Sequence, residues 1–134
     1  MMKVPGSQDE IILVVDDEPA ICLLVKILLE HAGYAVLVAG DAETAAKIYE
    51  EHSTQVALLL TDLRMPGMTG LELADRILRW EPRMRVLFMS GSDAATRGFG
   101  CIAKPFTRAE LVGKVGEALA GLPQPQLRAA AYGS

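Results

Sequence analysis

The sequence predicts an α/β domain in which a parallel sheet is doubly wound, with helices on both faces. Three observations lead there. Five short apolar runs recur along the chain, they are nearly continuous in apolar residues, and segments with helical spacing separate most of them. A strand covered on both faces reads as an unbroken apolar run, and strands alternating with helices build parallel sheets through crossovers.

The first run is IILVV at 11–15. Residues 19–32 follow, with Ile21, Leu24, Val25 and Leu28 on one helical face, Pro19 suited to the first turn and Gly33 to the C-terminal stop. YAVLVA at 34–39 is the second run. Asp41 can cap a helix over 42–52, where Ala45, Ile48, Tyr49 and His52 share a stripe. After VALLLT at 56–61, Thr69 and Glu72 have the spacing of a capping box that opens a helix over 70–80. RVLFMS at 85–90 and the shorter CIA at 101–103 complete the set, and Thr107 with Glu110 repeats the capping-box spacing ahead of a helix over 108–120.

A chain of 134 residues, 51% hydrophobic and 22% charged, suits one domain with a full core. Residues 10–121 form that domain, 1–9 read as an N-terminal extension, and the proline-containing stretch 122–134 reads as a tail or linker. A net charge of −4 supplies no basic surface for a phosphate backbone, so direct nucleic-acid binding is not expected. Charged residues interrupt every apolar run well before the ~18 residues of a membrane span, and MMKVPGSQDE lacks the apolar core of a signal peptide. The expectation is a soluble, cytoplasmic protein without membrane contact. Cys22 and Cys101 lie far apart in apolar surroundings and read as reduced core thiols.

Ligands of open parallel sheets bind outside the carboxyl ends of the strands. The chemistry-bearing residues sit there: Asp16 and Asp17 follow IILVV, Asp62 follows VALLLT, Ser90 ends RVLFMS and Lys104 follows CIA. Carboxylates gathered on one rim repel each other unless a cation joins them, and a hard divalent ion with oxygen ligands answers that need. Magnesium suits an incomplete cage, because it keeps several waters and takes few carboxylates. A carboxylate beside a cation, an ammonium and a hydroxyl can also accept a phosphoryl group as an aspartyl-phosphate. Singly, each residue has a plainer reading: Asp16 and Asp17 as a helix start, Asp62 as a turn acid before Pro66-Gly67, and Lys104 as a solvated loop residue. Their joint placement at strand ends weighs against those.

VVDDEP, TDLRMPGMTGLEL, LFMSG and AKPF occur in this order, and with them residues 10–121 resemble the receiver domain of two-component response regulators. The resemblance implies a flavodoxin-like five-stranded sheet of order 2-1-3-4-5. It also implies Asp62 as phosphoacceptor and a magnesium ion, replaceable by manganese, held by Asp16, Asp17, Asp62 and the backbone carbonyl of Arg64. Ser90 and Lys104 would contact the phosphoryl oxygens, and the Lys104-Pro105 bond would be cis. The implied function is a signalling switch that receives its phosphoryl group from a histidine kinase or histidine phosphotransfer protein. The chain would be a stand-alone receiver or the receiver of a hybrid sensor kinase, monomeric or a weak homodimer, and not an independent enzyme beyond assisting its own phosphorylation and dephosphorylation. A phosphorylation-independent interaction module, an aspartate-nucleophile phosphatase and a flavodoxin-like cofactor binder are the alternatives. The phosphatase lacks a second acid at Arg64, and the cofactor binder lacks a phosphate loop after the first run.

Two features depart from the family pattern. Only residues 91–99 separate Ser90 from the last run, whereas a crossover with its helix usually takes at least about 10–12 residues. Extended chain of that length reaches ~30 Å, enough to return along a short strand and step ~4.8 Å sideways. A fourth helix should therefore be missing or shortened, with SDAATR making at most one or two turns and Gly98 and Gly100 releasing the chain into the last strand. The second departure is Cys101, where receivers usually carry an aromatic residue whose rotamer follows phosphorylation.

Overall fold

In the computed structural model, residues 10–91 and 98–121 are described. Five strands, β1 (Ile11–Val15), β2 (Ala35–Ala39), β3 (Val56–Asp62), β4 (Arg85–Ser90) and β5 (Gly100–Ala103), form one parallel sheet of order β2-β1-β3-β4-β5. Four helices among the described residues, α1 (Pro19–His31), α2 (Ala42–His52), α3 (Gly70–Trp80) and α4 (Arg108–Leu119), cover it. This is the doubly wound fold and strand order the sequence predicts.

Alternation along the strands creates two cores. Leu13, Val15, Leu59 and Phe88 point to the side of α2 and α3, where they meet Ala45, Tyr49, Leu73 and Ile77. Ile12, Val14, Leu58, Leu60, Leu87 and Met89 point to the other side, against Val25 and Leu29 of α1 and Leu111 and Val115 of α4. Because successive side chains face opposite ways, both sets need to be apolar, which is why the strands read as continuous runs.

The helix starts follow their local chemistry. Asp41 Oδ1 accepts the Thr44 backbone N–H at 2.7 Å. Thr69 and Glu72 satisfy each other's backbone N–H groups at 2.8 and 3.1 Å, and Thr107 and Glu110 do so at 2.8 and 3.0 Å. Gly33 ends α1 with φ +101°, a conformation open to glycine without a Cβ penalty.

The buried face of α1 differs from the expected one. Cys22, Val25 and Leu29 are buried, Ile21 and Leu28 flank them, and Leu24 is 44% exposed. Apolar residues occupy every position from 21 to 29 except Lys26, so periodicity could not choose the face. In α2 the buried set is Ala42, Ala45, Ala46 and Tyr49, with Ile48 and His52 at its margin.

Between β4 and β5 no helix occurs among the described residues, in line with the shortened crossover. The expected turns at SDAATR lie outside the described residues. Gly98 has φ +85° and leads into Phe99, whose ring is buried and packs edge-on against Phe88 at 6.0 Å. Phe99 and Cys101 both pack on the α2–α3 side of the sheet. An aromatic therefore does lie on this face, two residues before the position where the family pattern puts it.

Phe88 is fully buried and carries this corner of the core. Phe88→Ala should lower unfolding free energy by about 3–5 kcal/mol in urea denaturation. A loss below about 1 kcal/mol would mean that the corner collapses around the missing ring.

Candidate functional site

The strand registers end nearly level. Val15 lies beside Ala39 and Thr61, Asp62 beside Met89, and Ser90 beside Ala103. The residues at or just beyond those positions therefore form one rim. Asp16 is fully buried, Asp62 and Ser90 are buried, and Asp17 is exposed. One carboxylate oxygen from each of Asp16, Asp17 and Asp62 falls within 4.8 Å of the others.

Lys104 reaches into this group from the end of β5. Its Nζ lies 2.7 Å from Asp16 Oδ2, 3.5 Å from Asp62 Oδ1 and 3.9 Å from Glu18 Oε1. The other oxygen of Asp16, Oδ1, accepts the Glu18 backbone N–H at 2.9 Å. Asp16 is thus held from both sides, and it is the main partner of the lysine. Backbone bonds brace the neighbouring strand ends: Lys104 N–H donates to the Ser90 carbonyl at 2.8 Å and Leu63 N–H to the Met89 carbonyl at 3.0 Å. The Lys104-Pro105 peptide is cis.

The charges respond to burial and to each other. Burial pushes the Asp62 carboxyl above the usual carboxylate range; Lys104 opposes this, while Asp16 and Asp17 add to it. Burial would lower the Lys104 ammonium, but the Asp16 hydrogen bond and the charges of Asp16 and Asp62 outweigh it and raise the group. Asp62 goes up because burial outweighs the help of a lysine whose closest contact is with Asp16, and Lys104 goes up because that contact outweighs its own burial. Three carboxylates facing one ammonium leave a site short of positive charge, and its donors are all oxygen. That donor set fits a hard divalent cation such as magnesium.

The structure thus brings together Asp16, Asp17, Asp62 and Lys104 as the sequence reading expected, and it puts Ser90 at the end of β4 beside them. Arg64 is exposed two residues beyond Asp62. Two contacts were not foreseen. Glu18, the residue after the acidic pair, approaches Lys104, and the Cys22 thiol donates to the Asp16 carbonyl at 3.3 Å from beneath the rim. Burial, followed by the Asp16 charge, raises that thiol. The acid run VVDDEP carried a signal for Glu18; the position of Cys22 on α1 carried none.

Gly70 sets the seat of Asp62. A Cβ on Gly70 would stand 2.0 Å from the Asp62 carbonyl oxygen, and the Gly70 N–H donates to the Leu63 carbonyl at 2.9 Å. Only glycine lets α3 begin this close to the end of β3.

The model of the response regulator receiver domain family matches residues 12–116. The transcriptional regulatory protein AruR of Pseudomonas aeruginosa is 39% identical over 114 residues, covering 77% of this chain and 46% of that protein. The DNA-binding transcriptional regulator NtrC of Azospirillum brasilense is 36% identical over 116 residues, 81% of this chain and 24% of its own length. The chain spans half or less of the curated relatives it matches. Among solved structures, the receiver domain of the hybrid histidine kinase CckA aligns with TM-score 0.74 at 34% identity, over 81% of this chain and 98% of that one. The response regulator TrrA of Thermotoga maritima, solved in complex with Mg(2+)-BeF, aligns with TM-score 0.73 at 30% identity over the same shares.

Two outcomes follow from the site's geometry. Gly70→Ala should destabilise the fold by about 2 kcal/mol or more, because the intruding methyl meets main chain that cannot swing aside; an unchanged urea midpoint would contradict the close seat. For Asp62, a raised folded pKa means that the charged form is disfavoured on folding, so its cost is present above the folded pKa and disappears below the unfolded value. Asp62→Asn should therefore raise thermal stability at pH 7 in chelator. The gain should shrink as pH falls through the upper carboxylate range and vanish below about pH 4. A variant less stable at pH 7 would reverse that sign.

Proposed function

This chain belongs to the response regulator receiver domain family, and we propose that Asp62 is its phosphoacceptor. The observation that supports this is the Lys104 ammonium, shared between a fully buried Asp16 and a less compensated Asp62 at the level ends of β1, β3 and β5. Receiver domains of two-component systems act with histidine kinases or phosphotransfer proteins. Here the unit would be residues 10–121, in a cytoplasmic protein that is either a stand-alone receiver or part of a hybrid sensor kinase. Among the described residues no helix is long and apolar enough to cross a membrane.

In the proposed reaction an Asp62 carboxylate oxygen attacks the phosphorus of a phosphohistidine. The P–N bond breaks, the imidazole leaves with the electron pair and takes up a proton, and an acyl phosphate forms. Lys104 neutralises charge on the transferring group, and Ser90 offers its hydroxyl to a phosphoryl oxygen. Asp16, Asp17 and Asp62, with the Arg64 carbonyl, would hold magnesium, which when bound neutralises phosphoryl charge; manganese would replace it. Later, water attacks phosphorus, the acyl P–O bond breaks, and phosphate and the free carboxylate return.

Phosphorylation replaces one negative charge by about two and adds three acceptor oxygens. The Lys104 ammonium then has a stronger competitor for its bond to Asp16. That exchange is the proposed switch, with Lys104 and Ser90 drawn toward Asp62.

A partner must bring its phosphohistidine to the rim, and α1 starts there. Its outward positions Leu23, Leu24 and Ile27 are 59%, 44% and 44% exposed, an apolar stripe that suits docking of a partner helix beside Asp62.

Incubation with acetyl phosphate and magnesium should label the protein, Asp62→Asn should abolish labelling, and Lys104→Ala should slow it by roughly 10²-fold. Labelling that persists in Asp62→Asn would sink the assignment. Ile27→Glu should cut phosphotransfer from a partner kinase by at least about ten-fold while acetyl phosphate labelling stays unchanged. Equal loss in both assays would mean that α1 serves the fold and not docking.

A further inference from the structure

At the end of the sheet opposite the rim, α2 and α3 finish beside one another. Between their last turns lies a cavity of about 350 Å³ lined by Tyr49, Glu50, Ser53, Thr54, Trp80 and Glu81. Trp80, the chain's only tryptophan, stacks on Tyr49 at 5.7 Å with an interplanar angle of 9°, yet remains 45% exposed. Large aromatic side chains left half in water are often found where something binds.

The charges that line the groove are of one sign, with one cation beside it. Both charged lining residues, Glu50 and Glu81, are acidic. The two helices present their C-terminal ends here, which carry negative partial charge. Glu81 is held in place by the Arg83 backbone N–H, which donates to its Oε2 at 2.9 Å. The Tyr49 hydroxyl feels the same field: burial first, and then the Glu81 charge, raise it. The indole already receives one cation, the Arg76 guanidinium, 5.6 Å from its ring centre.

We propose that this groove receives an arginine side chain of a partner polypeptide. A guanidinium is flat enough to lie along aromatic surface, forks onto a carboxylate and sheds water more readily than an ammonium. Ser53 and Thr54, both exposed beside the acids, supply hydroxyls that can bond to the main chain carrying that arginine. No rim residue contributes, so the proposal stands apart from phosphotransfer.

Trp80 emission reads the groove directly, since no other indole contributes. The full chain would be titrated with Ac-Gly-Arg-Gly-Arg-Gly-NH2, with its citrulline counterpart and with spermidine. The arginine peptide should give a saturable change, weakened about five-fold or more in the double variant Glu50→Gln/Glu81→Gln and unaffected by Asp62→Asn. If the double variant unfolds at lower urea than the parent, Glu50→Gln alone, at an exposed position, should show a smaller weakening of the same sign. A change that never saturates, an equal response to citrulline, or unweakened binding by the folded variant overturns the proposal. Tighter binding of spermidine than of the peptide also overturns it, in favour of a free polyamine.

Discussion

Carboxylates do not collect at the end of a sheet without something positive among them, and here that is the Lys104 ammonium, 2.7 Å from Asp16 and 3.5 Å from Asp62. The contact joins residues 88 positions apart in the chain and exists only because β1, β3 and β5 end at one level. Its asymmetry matters as much as its presence. By taking Asp16 as its near partner, the lysine leaves Asp62 as the buried acid whose charge it answers less closely, a place where added positive charge or a new partner has much effect.

Beyond the hydrogen bonds at the rim itself, what positions this pair is apolar and lies beneath it. Two cores clamp the sheet from either side, so the strand ends have little freedom to drift. The approach of α3 to the Asp62 carbonyl, possible only at Gly70, ties the third helix to the same point. A modest change of charge at the rim therefore acts on a rigid frame, and rigid frames convert small displacements into repacking instead of absorbing them.

Most of this arrangement was legible in the sequence. Continuous apolar runs marked buried strands, Asp41, Thr69 and Thr107 marked helix starts that the hydrogen bonds reproduce, and the positions of Asp16, Asp17, Asp62, Ser90 and Lys104 after those runs located the rim. What escaped had physical reasons. Helix α1 is apolar on nearly every side, so Leu24 was assigned inward when Cys22 and Leu29 hold that face. Tertiary contacts between residues near in space but of unremarkable type, such as Cys22 under Asp16 or Trp80 on Tyr49, leave no periodic signature. Phe99 stands two residues before the position where the family pattern puts an aromatic, so the pattern does not mark it, although it shares a face of the sheet with Cys101.

The Phe88–Phe99 contact has a consequence of its own. At this corner a ring borne on β4 and a ring at the mouth of β5 meet edge-on over the α2–α3 core, tying the entry of the last strand to its neighbour. The Phe88–Phe99 contact and the β4–β5 register hold the entry of the last strand, and with it Lys104, at a fixed place beside Ser90. A pair of rings far from any charge thus helps decide where an ammonium stands.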